Sequence, residues 1–115
     1  MSTHPRFGTN TVMLSGSAGF AYPVKGQGVL FGVFTSMASG TTAPTSGTIM
    51  VMDACSGVSN QSAAKRFYYF SYVGTASGYL PPDLTGINAP FFSGLAVYST
   101  AVSGVNLTLV WKLGV

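Results

Sequence analysis

Two aspartates, one histidine, one cysteine and six tyrosines are the proton-transfer inventory of this 115-residue chain, beside its five Lys/Arg. General acid–base catalysis needs two titratable groups tuned apart by their surroundings. Asp53 and Asp83 are the one pair that converging chain could set up as a glycosidase-type couple. Their contexts argue otherwise. Asp83 follows Pro81-Pro82, a turn-forming run in which Asp bonds its own backbone, and Asp53 closes an apolar run, another ordinary turn position. His4 has no ligands at metal spacing around it, so no metal site is expected. A Ser nucleophile lacks its His base and the strand–helix elbow that would present it. No phosphate loop with a following helix occurs, and no cofactor is expected. Cys55 is alone, which excludes an intrachain disulfide, and after Asp53-Ala54 it reads as a small buried residue. The chain is not expected to be an enzyme.

One basic-aromatic constellation remains, Lys65-Arg66-Phe67-Tyr68-Tyr69-Phe70-Ser71-Tyr72. Cations beside exposed rings can hold single-stranded nucleic acid, and flat rings on a sheet can cover a sugar. The plainer reading is an aromatic strand shared between the core and a subunit contact, with Lys65-Arg66 at its wet end. Asn60-Gln61-Ser62 and Asn106-Leu107-Thr108 match the glycosylation pattern, as chance matches in a Ser/Thr-rich chain.

The elements that must carry these residues follow from composition. Charged residues are 6% of the chain against roughly 25% in ordinary domains. That is too few to clothe the wet face of a helix. Gly, Ser and Thr fill the gap and suit strands and turns. The expected fold is all-β: a single-domain antiparallel β-sandwich of about eight strands. Residues 1–10 read as an extended N-terminal arm and residues 11–115 as the sandwich domain. Expected strands are 11–14, 18–25, 29–37, 48–54, 65–73, 79–84, 94–100 and 105–112, with Ser103-Gly104 as a hairpin turn joining the last two.

The net charge of +3 and a sequence pI of 9.3 come from five dispersed cations and a shortage of acids, so a nucleic-acid partner is not expected. Mean hydropathy is +0.42, yet no uninterrupted apolar run is long enough for a membrane-spanning helix. The start, with its short apolar centre broken by Ser15-Gly16, does not fit a signal peptide.

Val105, Leu107, Leu109 and Trp111 alternate with polar neighbours, as a strand with one buried face does. Other strands are apolar on both faces. Ile49 and Val51 oppose Met50 and Met52; Val29, Phe31 and Val33 oppose Leu30 and Phe34; and either face of 67–72 carries aromatics. A sandwich buries one face of each sheet, so the second face needs a loop, the arm or a neighbouring copy to cover it. With so few charges, a neighbouring copy is the expected cover. Met50, Met52, Phe67, Tyr68, Tyr69, Phe70 and Tyr72 are therefore the candidate protein-contact residues. A binding module would instead display Tyr68, Tyr69, Tyr72 or Tyr79 in a shallow groove.

Val24-Lys25, Gly28-Val29-Leu30 and Gly47-Thr48-Ile49-Met50-Val51-Met52-Asp53, followed by Pro90 to Thr100 and Leu107-Thr108-Leu109-Val110-Trp111, form an ordered set. Over about residues 24 to 111 the chain resembles the small β-sandwich virion proteins of tailed bacteriophages, the head decoration or cement type and related head–tail components. Trp111 stands where such proteins often end in Tyr, and Lys65-Arg66 has no counterpart. The resemblance implies a jelly-roll-like sandwich, frequently a homotrimer, that joins the capsid surface of the virion. Its partners would be further copies of itself and the major capsid protein, with no membrane or nucleic acid. A fibre receptor- or carbohydrate-binding module and a head–tail connector subunit are the alternatives.

Overall fold

The computed structural model describes residues 6–15, 19–37, 46–54, 65–73, 81–100 and 102–114. Among the described residues eight strands form: β1 (Arg6–Ser15), β2 (Gly19–Lys25), β3 (Gly28–Met37), β4 (Ser46–Asp53), β5 (Arg66–Val73), β6 (Ala89–Phe91), β7 (Gly94–Thr100) and β8 (Ser103–Leu113). They pair as two antiparallel sheets in the orders β1-β8-β3-β6 and β2-β7-β4-β5. First pairs with last, second with seventh, third with sixth and fourth with fifth. One long hairpin has been rolled up on itself, which is the jelly-roll topology.

The sheets face each other across a core of Leu30, Val33, Ile49, Val51, Phe91, Leu95, Val97, Val102, Val105, Leu107 and Leu109, with Tyr68 and Tyr72 among them. β8 follows its expected alternation, with Val105, Leu107 and Leu109 fully buried and Trp111 half-buried. Trp111 Nε1–H donates to Asn10 Oδ1 at 2.7 Å. Its ring lies over Gly8, where a Cβ would meet it at 2.5 Å.

Three expectations need correction. Part of the stretch expected to be an arm is strand. Residues 6–10 are strand, because β1 runs in register along β8 from Arg6↔Leu113 to Leu14↔Val105; residues 1–5 lie outside the described residues. The hairpin at Ser103-Gly104 does not form either. β7 and β8 belong to different sheets, and the chain crosses between them with Val102 buried in the core. That crossing lets Leu95 and Val97 face Val105, Leu107 and Leu109 across the sandwich, instead of lying beside them. Finally, the stretch 79–84 is no strand over its described part. Pro81-Pro82 cannot donate to a ladder, and the segment contributes one bridge, Val33↔Leu84. The strand at that edge of the sheet, beside β3, is β6, short and carrying Pro90.

Bulges correct the parity of two strands. In β3 the register slips between Leu30 and Gly32, so Leu30 and Val33 both point inward although they are three apart. In β5 the slip opposite Val51/Met52 inserts Phe67, which packs inward together with Tyr68, Phe70 and Tyr72. The outer face of β5 is left with Arg66, Tyr69 and Ser71.

Candidate functional site

The expected contact residues do not make one open surface. Met50 and Met52 are buried within the chain itself, in a second small cluster with Ala54 and Ala96 beneath Phe20, Tyr22 and Tyr98. Register explains the cover. Phe20, Tyr98, Met50 and Tyr69 form one rung across all four strands of the β2-β7-β4-β5 sheet. Phe20 and Tyr98 touch at 4.6 Å between ring centroids, and Phe20 and Tyr22 stack at 6.0 Å. At the other edge the Arg66 guanidinium lies over Tyr69 at 5.5 Å and reaches Met50 Sδ at 3.9 Å. Over Met50 and Met52 the second cover therefore comes from side chains of the same sheet.

Tyr68 and Tyr72 are buried in the main core, while Phe67 and Phe70 are half-buried against it. Of the seven, Tyr69 alone is exposed, at 56%. A groove lined by Tyr68 and Tyr72 is accordingly absent, and Tyr79 lies outside the described residues.

Tyr68 has a bracing role. Its hydroxyl donates to Pro82 O at 2.8 Å. The neighbouring Asp83 Oδ1 accepts from the Thr35 N–H at 2.9 Å, and Thr35 Oγ1–H donates to Pro81 O at 2.8 Å. This chain of bonds ties β5 of one sheet to β3 of the other. Burial pushes the Tyr68 hydroxyl up to about 12, with the Asp83 charge and Tyr72 adding to the shift.

Asp53 is a clamp of a different kind. Its Oδ2 accepts from Phe92 N–H at 2.8 Å, and its Oδ1 accepts from Ser93 N–H at 2.8 Å and Gly94 N–H at 3.4 Å. Gly94 has φ +153°, and a Cβ there would run into Val24 O, so the turn admits no larger residue. Each aspartate is thus engaged with backbone donors of a distant element. Asp83 bonds Thr35 on β3 and not its own turn, the partner its Pro81-Pro82 context suggests, because the segment packs edge-on against β3. Among the described residues no three His, Cys, Asp or Glu come together to hold a metal, and His4 and Cys55 lie outside them. No helix of the described residues is long and apolar enough to cross a membrane.

The surface that sequence patterning missed is the outer face of the β1-β8-β3-β6 sheet. Phe7 (69% exposed), Met13 (68%) and Phe34 (37%) lie there. Between them run Thr9, Thr11, Thr108 and Val110, with Thr11 and Thr108 hydroxyls 3.0 Å apart. Phe7 stacks on Phe31 at 6.2 Å, and Lys112 is the one cation among the described side chains of the face. Residues 6–10 read as an arm because strand β1 lacks an apolar alternation of its own. The available signal was Phe7, Thr9, Thr11 and Met13 at a spacing of two. Asn106 also sits on this sheet, within β8, with its Oδ1 covered and without a hydrogen-bond partner.

Comparison of the chain with protein-family models, with curated proteins and with solved structures gives no match.

Proposed function

We propose that this chain is a non-enzymatic virion structural protein, a capsid decoration or cement protein that oligomerises and strengthens a head lattice through repeated protein contacts. The observation that carries the reading is the outer face of the β1-β8-β3-β6 sheet. It is broad, bears Phe7, Met13 and Phe34 over threonines, and has almost no charge. Such a face suits permanent association more than an exchangeable encounter. Modest interfaces repeated in one oligomer then multiply through effective concentration, with no deep pocket required. The jelly roll also occurs in lectins and enzymes, so the fold itself is neutral on this point. Self-association, as a homotrimer, and binding to the major capsid protein at the capsid surface belong to the same proposal.

The test is to measure the mass of the purified protein by light scattering and to image it mixed with heads that lack it. A discrete oligomer and regularly spaced density on the lattice are expected. A stable monomer that leaves heads bare would remove the proposal. A carbohydrate-binding module is the second reading, favoured by the Phe20, Tyr22, Tyr98 and Tyr69 rings on the opposite outer face. It predicts that Tyr69→Ala abolishes glycan binding while the oligomer survives.

A further inference from the structure

The five cations are scattered in sequence, at positions 6, 25, 65, 66 and 112. Rolling up the chain undoes that scatter. Arg6 opens β1 opposite Leu113, and Lys112 precedes Leu113 on β8. Lys25 closes β2 opposite Gly94. Lys65 accepts the Asp53 N–H on its carbonyl and leads into Arg66, which pairs with Met52. The two sheets meet at this same end. The turns Gly26-Gln27 and Phe92-Ser93 join them there, bonded to each other and to the last strand through Gly26 N–H to Ser93 O and Gly114 N–H to Gln27 O. Every Lys and Arg of the chain stands at, or next to, one end of the sandwich.

Charge there is poorly balanced. Asp53 is the one side-chain carboxylate at this end, and its oxygens are already taken by three backbone N–H groups. Asp83 is bonded to Thr35, roughly 20 Å along β3 from Gly28 at the usual strand rise. The same end presents Phe92, 65% exposed, on a turn that Asp53 and Gly94 hold rigid.

We propose that this end of the sandwich is a docking site for an acidic protein surface, with Phe92 as its anchor and Lys25, Lys65, Arg66 and Lys112 as its rim. A rigid apolar anchor inside a charged rim is the anatomy of a protein hot spot, and rigidity lowers the ordering cost of binding. A nucleic-acid strand would be tracked by a continuous cationic groove with free rings to stack on. Here Lys25 and the Lys65-Arg66 pair stand at opposite edges of one sheet. Two of the other exposed rings are already engaged, Tyr69 under Arg66 and Phe7 on Phe31. The proposal rests on the decoration reading and adds the chemistry of the lattice partner.

It is tested with soluble polymers, so that its failure is separate from failure on heads. A labelled glutamate–tyrosine copolymer, labelled poly-glutamate and labelled oligo-dT are titrated with the full chain, and anisotropy is read at low and physiological salt. The copolymer is expected to bind at least about tenfold more tightly than poly-glutamate, the anchor being worth about the 1.4 kcal/mol of a tenfold change. Phe92→Ala should erase that margin, and Lys25→Glu with Lys65→Glu should abolish binding of both polypeptides. All three positions are exposed, so circular dichroism should stay unchanged. Tightest binding by oligo-dT, no binding by any polymer, or a margin that survives Phe92→Ala would each overturn the proposal. Copolymer binding by a protein that leaves heads bare would retain this site and sink the decoration reading.

Discussion

The two sheets present outer faces of similar composition and opposite fate. On one, Met50 lies in a rung between Tyr98 and Tyr69, and Met52 lies between Ala96 and Arg66; Phe20, Tyr22 and Tyr98 pack over the cluster and close it. On the other, Met13 is on the edge strand β1 and has one lateral neighbour, Asn106. It stands 68% exposed. Exposure is therefore decided by what the adjacent strands place in the same rung, and by whether a strand has one neighbour or two. A strand's own apolar pattern cannot distinguish these cases, since Met looks alike in both.

The sharpest way to break this contrast is to truncate the covered methionine. Met52→Ala is expected to cost about 2–5 kcal/mol, as large-to-small changes at fully buried sites do. Urea denaturation measures it; a loss below about 0.5 kcal/mol would mean that the outer cluster is not a packed one. Asp53→Ala ranks next. It removes the charged acceptor of three backbone donors at the β6–β7 turn, and about 1.5–3 kcal/mol is expected from bonds to a charged group. Hydrogen exchange at Phe92 and Ser93 should quicken in this variant while the β4 rungs stay protected.

The bond that spans the sandwich has a pH signature. Tyr68 titrates near 10 when unfolded and at about 12 when folded, so between those values the folded chain holds the proton more tightly. Its contribution is fully present below pH 10 and is lost as pH rises toward 12. Tyr68→Phe should reduce stability by about 0.5–1.5 kcal/mol at neutral pH, with Pro82 O left without its donor. It should also flatten the alkaline decline. An equally steep decline in the variant would assign that slope to other groups.

How much of this was legible depends on which interactions are local. The scarcity of charge and the alternation of Val105, Leu107 and Leu109 announce strands with one buried face, and the all-β sandwich follows from them. Pairing partners are not local. The crossing at Val102, the joining of residues 6–10 to β8, and the outward exposure of Met13 depend on strands about a hundred residues apart. Bulges at Leu30/Gly32 and Val51/Met52 reverse the inward–outward parity partway along a strand, which no period-two reading anticipates. The seven expected contact residues were chosen because their strands are apolar on both faces, and four of them are buried: Tyr68 and Tyr72 in the core, Met50 and Met52 beneath side chains of adjacent strands. The cations erred in the opposite direction, being scattered in sequence and gathered in space.

The smallest expected effect on folding is also the one that bears most on function. Met13 is exposed on an edge strand, so Met13→Glu should change monomer stability by no more than about 0.5 kcal/mol. If the outer face of the β1-β8-β3-β6 sheet is where copies of the chain meet, the same substitution places an uncompensated charge inside an apolar contact. Light scattering should then report a fall from oligomer to monomer at unchanged circular dichroism, and Phe7→Ala should weaken the oligomer in the same direction. Tyr69→Ala, on the opposite face, should leave the mass untouched. Dissociation by Tyr69→Ala with an intact Met13→Glu oligomer would reverse the assignment of the two faces, and return the contact to the aromatic side of the sandwich.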